Sequence, residues 1–154
     1  MKYLSDIHKF RNSLAYLVEF ESYKILELGG FAWTGVSSFP HGACFLSSSL
    51  LGVYLQEQGC SDVKLIIANV DVDEYPDIKS HAWLEVEGKY VDITGSQFSE
   101  RTNERITIQN KCSAEWLFSY AETAKREGTY REKEPDFDGN LSLYNLIVSK
   151  INCI

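Results

Sequence analysis

The sequence predicts an α+β fold in which an antiparallel sheet packs against helices. Three observations support this class. Amphipathic helical patterns lie near both ends of the chain, β-rich segments cluster in the middle, and a two-residue turn joins two of those segments. The chain has 154 residues, of which 44% are hydrophobic and 24% charged. This size and composition predict one domain, residues 1–154, with a substantial core.

The first half of the chain is predicted to hold two helices separated by a loop. Residues 5–20 carry apolar side chains at helical spacing, with Ser5 as the expected N-cap. Residues 27–43 are rich in Gly, Ser and aromatic residues, which favours a loop. A second apolar face begins at Cys44 and ends before Gly59, a residue suited to the left-handed position after a helix. Cys44 is therefore expected in the first turn of a helix.

The second half is predicted to hold the sheet and two further helices. Three segments are β-branched or alternate between apolar and polar residues, as strands do: 62–72, 80–98 and 105–110. The segment 129–139 is polar and is predicted to be a loop. Helices are expected from Ser113 to about Gly128 and again after Asn140, with Ser113 and Asn140 as N-caps.

Charge and hydropathy argue against several classes of function. The net charge is -7, from 15 Lys and Arg against 22 Asp and Glu, whereas a nucleic-acid binder needs clustered cations. No segment approaches the roughly 20 apolar residues of a membrane-spanning helix, so no membrane partner is expected. Charges interrupt the N-terminal segment too early for a secretory signal, which predicts a cytoplasmic protein.

The segment SHAWLEVEGKYVDIT, residues 80–94, predicts a hairpin with two polar groups on one face. A two-residue turn at Glu87 and Gly88 pairs residues whose numbers sum to 175. His81 and Asp92 then become diagonal neighbours, about 7–8 Å apart at the backbone, a gap that a hydrogen bond between their side chains can close. A three-residue loop would instead turn Asp92 to the opposite face.

The two faces of this hairpin are expected to differ in polarity. The residues that point away from His81 are all apolar: Ala82, Leu84 and Val86. Two interpretations of the His81–Asp92 pair remain open, one in which it is a structural contact and one in which it takes part in chemistry.

Cys44 is the thiol whose context favours chemistry. The unpaired N–H groups and the positive dipole end at a helix N-terminus favour a thiolate. Gly42 and Ala43 leave room for a substrate backbone to approach. A nucleophilic thiol needs a base, and the base needs an acceptor that orients it. His81 and Asp92 fill these roles if the helix packs against the hairpin face.

The cysteines also allow two other interpretations. A buried structural thiol suits the three cysteines that lack a polar partner nearby in sequence, Cys60, Cys112 and Cys153, better than it suits Cys44. His41 and Cys44, together with the hairpin His and Asp, offer a zinc site. Closed zinc sites usually show short ligand spacings at both ends, so no metal is expected here.

The segments GACFLSSSLLGVYLQEQGCSDVKLIIANV and SHAWLEVEGKYVDIT resemble the transglutaminase-like branch of the papain-like cysteine enzymes. In that family a helix begins with the nucleophilic Cys, and later strands carry the His, in a His-Ala-Trp motif, and the Asp. Compact members include the leader-peptide-cleaving B proteins of lasso-peptide biosynthesis. The resemblance covers residues 42 to about 98. It implies a papain-like/transglutaminase-like core with Cys44 as nucleophile, His81 as base and Asp92 as its orienter.

The chain departs from the family pattern at two points. The family often has an Arg after the glycine that ends the Cys helix, where this chain reads GCSDVK. The family's oxyanion-stabilising Gln or Trp also has no clear counterpart, because no Gln precedes Cys44 and Trp33 is the only upstream Trp. The backbone N–H of Cys44 is then the expected oxyanion donor. Contacts with substrate are expected from Trp33, Gly42, Ala43 and Trp83.

The function expected from the sequence is that of a cysteine hydrolase or acyl transferase with a Cys-His-Asp triad. The substrate is expected to be an amide of a peptide or protein, and the reaction that of a protease, a deamidase or a transglutaminase. No cofactor is expected. The alternative is a catalytically inactive binding or immunity module of the same fold.

Overall fold

Six helices and five strands make up the part of the chain that the computed structural model describes, residues 1–113 and 116–153. The helices are α1 (Leu4–Phe20), α2 (Ser22–Leu26), α3 (Gly30–Val36), α4 (Cys44–Glu57), α5 (Trp116–Glu127) and α6 (Leu141–Ile151). The strands are β1 (Val63–Asn69), β2 (Ser80–Val86), β3 (Lys89–Asp92), β4 (Thr107–Asn110) and β5 (Tyr130–Lys133). Two single-turn 3₁₀ helices, Gly95–Gln97 and Lys111–Ser113, follow β3 and β4. The α+β class predicted from the sequence is confirmed.

The five strands form one sheet in the order β4-β3-β2-β1-β5. Every neighbouring pair is antiparallel, as predicted. The central strands are the most apolar, and β5, at one edge, carries Arg131, Glu132 and Lys133. Charged residues on an edge strand discourage pairing with another chain.

The hairpin between β2 and β3 has the register that the two-residue turn predicts. Leu84 pairs with Val91 and Val86 pairs with Lys89, and the residue numbers of each pair sum to 175. The turn residues Glu87 and Gly88 have φ angles of 50° and 80°. Positive φ at both central positions is the backbone of a tight hairpin turn whose twist matches the strands. The local turn thus fixes which face each hairpin side chain occupies.

Helices cover both faces of the sheet. On one face α1, α4 and α6 pack together over the apolar hairpin side chains, which include Ala82, Leu84 and Val86. On the other face α5 packs over Trp83 and Tyr90. Both faces of the hairpin are therefore buried, and polar groups on either face lie away from bulk water.

The N-terminal half departs from the sequence prediction at two points. Ser5 lies inside α1, and Tyr3 occupies the N-cap position without a side-chain cap hydrogen bond. The segment 27–43, predicted to be a loop, contains helix α3. Buried Ala32 and Val36 give α3 an apolar side that packs on the core, which favours the helix despite the glycines at its start.

Three predictions for the C-terminal half can be compared with the structure. The segment 129–139, predicted to be a loop, contains β5, because β1 supplies a pairing edge that offsets its polar composition. Asn140 is the N-cap of α6 as predicted, but its side-chain amide donates to the Asp138 carbonyl instead of capping the helix. Ser113 lies in a 3₁₀ turn, and residues 114–115, where the start of α5 was predicted, fall outside the described residues.

Among residues 1–113 and 116–153, no helix combines the length and apolarity needed to cross a bilayer.

Candidate active site

The strongest polar contact in the hairpin joins His81 to Asp92. His81 Nε2 lies 2.8 Å from Asp92 Oδ2, and the two side chains are 0% and 1% exposed. The diagonal placement that the hairpin register predicts therefore produces a direct hydrogen bond. With Asp92 as a carboxylate, Nε2 is the donor, so the pairing fixes the ring orientation and leaves Nδ1 as the other site of proton exchange.

The second oxygen of Asp92 is held by the residue two positions along the chain. The backbone N–H and the hydroxyl of Thr94 donate to Asp92 Oδ1 at 2.9 Å and 3.2 Å. Gly95 approaches the carboxylate so closely that a Cβ there would lie 2.9 Å from Oδ2. These contacts lock the carboxylate in one orientation and bring the turn 95–97 directly against the site.

Cys44 occupies the first turn of α4, as the sequence predicts. Helix α4 packs against β1 and β2, and Ser48 Oγ donates to the Ala82 carbonyl at 3.5 Å across this interface. The Cys44 side chain therefore lies beside the start of β2, where it interacts with the His81 ring and with the backbone N–H of Ala82. A thiol at a helix N-terminus is thus brought to the His81–Asp92 pair.

The environment shifts the pKa values of Cys44 and His81 in opposite directions. Burial by itself would raise the pKa of the Cys44 thiol, but His81 and the Ala82 backbone together outweigh this effect, and the thiol pKa lies below its ordinary value. Burial would lower the pKa of His81, but Asp92 and then Cys44 outweigh it and raise this pKa to about 10. Both shifts favour the same state, a thiolate beside an imidazolium.

His81 Nδ1 is the ring nitrogen that remains available to Cys44. It is buried and forms no hydrogen bond to any group in residues 1–113 and 116–153. The thiol is close enough to shift the pKa of the ring, although sulfur and nitrogen do not meet in hydrogen-bond geometry. Proton-transfer contacts are often loose in free enzymes and shorten when substrate binds.

Aromatic rings surround the His81 imidazole. Trp83 stacks against it with centroids 5.7 Å apart, Phe98 meets it edge-on at 5.0 Å, and Trp116 lies at 5.8 Å. These rings exclude water from the His81–Asp92 hydrogen bond, and a lower local dielectric strengthens it.

Arg11 contacts the end of β3, at the residue that follows Asp92. Arg11 is 4% exposed, and its guanidinium donates from Nε to the Ile93 carbonyl at 3.0 Å and lies 5.1 Å from the Phe39 ring centroid. Burial and then Arg105 lower its pKa to about 10, while Asp92 acts in the opposite direction. Arg11 thus links the strand that carries Asp92 to the segment that precedes Cys44.

The four residues expected to contact substrate are in different environments. Gly42 is exposed, with φ of 65° and open space where a Cβ would point, so a ligand has room there. Ala43 is 1% exposed. Trp33 lies in α3 and packs partly buried on the core. Trp83 is 0% exposed, so in this structure it packs behind the His81 ring instead of facing an open surface.

The zinc interpretation gains no support from the geometry. Within residues 1–113 and 116–153, no group of three or more His, Cys, Asp or Glu side chains is arranged to hold a metal ion. His41 is exposed and borders an open groove with Gln97 and Phe98, while His81 Nε2 is engaged by Asp92.

The sequence did not point to four residues of the site: Arg11, Thr94, Gln97 and Phe98. Thr94, two residues after Asp92, had a local signal, because an Asp side chain commonly accepts from the backbone N–H two residues further on. The other three reach the site through tertiary packing and had no local signal.

Comparison with known proteins adds no family assignment, because no protein family, curated protein or solved structure matches this chain.

Proposed function

We propose that the protein is a cysteine hydrolase or acyl transferase that acts on an amide of a peptide or protein, with a papain-like/transglutaminase-like core. The observation that carries this proposal is the buried 2.8 Å hydrogen bond between His81 and Asp92 beside a thiol at a helix N-terminus. A buried charged pair is a weak source of stability, whereas a thiolate beside an imidazolium is a reactive nucleophile.

In the first half of the proposed reaction, the Cys44 thiolate attacks the carbonyl carbon of the amide and forms a C–S bond. The carbonyl π electrons move to oxygen and give a tetrahedral oxyanion. The His81 imidazolium then gives its Nδ1 proton to the departing nitrogen as the C–N bond breaks. A thioester on Cys44 and a free amine result, with Asp92 holding the imidazole in place.

In the second half, a nucleophile resolves the thioester. His81, now neutral, takes a proton from water as the water oxygen attacks, and the C–S bond breaks to release an acid and the thiolate. A protease and a deamidase differ only in whether the departing nitrogen belongs to a peptide bond or a side-chain amide. If an amine takes the place of water, the product is a new amide, as in a transglutaminase.

Iodoacetamide alkylation tests whether Cys44 is a nucleophile of this kind. The rate at each cysteine is followed by mass spectrometry between about pH 5 and pH 10. Cys44 should react well below the pKa of about 8.5 of a free thiol, and the other cysteines only near or above it. Cys44→Ser should lose the low-pH reaction, and Cys112→Ser, a change at an exposed cysteine outside the site, should keep it.

The result that contradicts the proposal is slow alkylation of Cys44 with the pH dependence of an ordinary thiol. The chain would then be better described as a catalytically inactive binding or immunity module in which the His81–Asp92 pair is structural. If Cys44 does react at low pH, an electrophilic peptide probe followed by mapping of the modified residue gives access to the substrate.

A further inference from the structure

We propose that Gln97 is a further catalytic residue, whose side-chain N–H donates to the oxyanion that forms when Cys44 adds to a carbonyl. This inference rests on the function proposed above. It assigns the side-chain donor that has no counterpart upstream of Cys44, and it places that donor after the residue that orients the base, on the turn Gly95–Gln97.

One end of the Gln97 amide is anchored to the segment that leads into α4. Its Oε1 accepts from the backbone N–H of Gly42 at 3.4 Å. Gly42 lies two residues before Cys44 and provides open space for a ligand. With the carbonyl end tied to Gly42, the amino end of the side chain is held near the N-terminus of the helix that carries the nucleophile.

The amino end of the same side chain has no hydrogen-bond partner within residues 1–113 and 116–153. Nε2 of Gln97 is shielded from solvent and donates to no group in the described parts of the chain. A buried donor without a partner costs roughly 1–3 kcal/mol, so such atoms are rare in native proteins. A free donor beside a thiol is suited to a charge that exists only during the reaction, because no neighbouring acceptor competes for its N–H.

The residues next to Gln97 in the sequence also contact the site. Phe98, the next residue, meets the His81 ring edge-on at 5.0 Å. Gly95, two residues before Gln97, lies directly against the Asp92 carboxylate. The segment of Gln97 therefore contacts His81 and Asp92 through its neighbours, and Gln97 itself contacts Gly42.

Gln97 forms and breaks no covalent bond in the proposed step. As the Cys44 sulfur bonds to the carbonyl carbon, the π electrons of that carbonyl move to oxygen. The Nε2–H of Gln97 and the backbone N–H of Cys44 donate to that oxygen. When the tetrahedral species collapses, the electrons return to the carbon–oxygen bond and both donors are released.

Two reagents separate this role from thiolate formation. Cys44 adds to the carbonyl of p-nitrophenyl acetate through an oxyanion, whereas it displaces iodide from iodoacetamide without one. Rates of acetylation and alkylation at Cys44 are measured by mass spectrometry on the full chain. Gln97→Met should slow acetylation by about 10²-fold, as loss of one oxyanion donor does. Its alkylation rate should stay within about twofold, since the thiolate is unchanged.

Gln97→Glu tests the donor separately from the anchor. A glutamate keeps an oxygen that can accept from Gly42 but removes the N–H, so acetylation should fall as it does in Gln97→Met. The pH profile of alkylation corrects for any effect of the added charge on the thiol. Gln56→Met, at the far end of α4 where Gln56 donates to Glu134, is the matched control and should leave both rates unchanged.

Three outcomes would overturn the inference. Wild-type acetylation in Gln97→Glu would mean that Gln97 only positions Gly42. An equal loss of both rates in Gln97→Met would mean that the residue acts on the thiolate. Unchanged rates in both variants would mean that it has no part in the reaction. If wild-type Cys44 reacts with neither reagent, the proposed function itself fails.

Discussion

A cysteine lies at the start of α4 and another just after its end, and the pKa values of the two thiols shift in opposite directions. Cys44 begins the helix and lies beside His81, which holds the pKa of its thiol below the ordinary value. Cys60 follows the end of the helix and is 3% exposed, and burial raises the pKa of its thiol against weaker opposing effects of the Asp62 backbone and Lys2. Its sulfur donates to the Asp62 carbonyl, at 3.8 Å. Burial thus raises the pKa of a thiol, and the neighbouring His81 is what reverses the direction of the shift at Cys44.

The helix contributes to the same difference. The N–H groups of the first turn point toward Cys44 and stabilise negative charge, whereas the carbonyl groups of the last turn face the Cys60 end and oppose it. The helix thus favours a thiolate at Cys44 and a neutral thiol at Cys60, the same directions as their pKa shifts. Cys60 is therefore an internal reference for every measurement on Cys44.

The change with the largest expected effect on the comparison is His81→Gln. It removes the imidazolium but leaves the burial of Cys44, so the pKa of the thiol should rise to that of an ordinary or buried cysteine. At about pH 6.5 an ordinary thiol is about 1% ionised, so alkylation of Cys44 by iodoacetamide should fall by about 10–100-fold.

Cys60 serves as the control in the same sample, and its slow rate should not change. Retention of fast alkylation at Cys44 in His81→Gln would show that the helix N-terminus alone activates the thiol. The imidazole would then have no part in setting the difference between the two ends of α4.

A smaller effect is expected on the pH dependence of stability. In Cys44→Ala the thiol is gone, so the contribution of His81 to this dependence can be measured separately. The pKa of His81 is raised in the folded protein, chiefly by Asp92 acting against burial, from about 6.5 in the unfolded chain. Its contribution to the free energy of unfolding is thus complete below about pH 6.5. It is lost as the pH rises toward the folded-state pKa. Urea midpoints of Cys44→Ala should fall across this range.

Adding Asp92→Asn to Cys44→Ala should flatten this dependence, because the main group that raises the pKa of His81 is then neutral. The intact thiol works in the opposite direction. Its lowered pKa contributes stability above the pKa of the unfolded thiol, and this contribution is lost as the pH falls through the folded-state value. Equal slopes with and without Asp92→Asn would show that the buried hydrogen bond does not hold a charged His81.

The smallest effect is expected from Cys60→Ala, which tests whether a change beyond the C-terminal end of α4 affects Cys44. Replacing one buried sulfur with hydrogen should lower the free energy of unfolding by about 1 kcal/mol, from lost burial and a small cavity. The alkylation profile of Cys44 should remain within about twofold of wild type. A larger change at Cys44 would show that the two ends of α4 are not independent.

The sequence predicted those parts of the fold that depend on local rules. The two-residue turn at Glu87 and Gly88 predicts the hairpin register, and this register places His81 diagonal to Asp92. The start of α4 at Cys44 also followed from local composition. The catalytic roles of these residues stay predictions.

The parts that the sequence did not predict depend on distant partners. Strand β5 is polar along its length and exists because β1 offers it an edge. Helix α3 begins with glycine and forms because its apolar side meets the core. Gln97 reaches Gly42 across 55 residues of sequence, so no local pattern indicated that the two would meet. Local spacing cannot encode contacts of this kind.

The separation of the two sulfurs by the length of α4 has a consequence for oxidative damage. Sixteen residues of helix and turn place Cys60 roughly 20–24 Å from Cys44, far beyond the reach of a disulfide. If peroxide converts the Cys44 thiolate to a sulfenic acid, Cys60 cannot capture it. Unless another thiol caps that sulfenic acid, further oxidant would carry it to the irreversible sulfinic state.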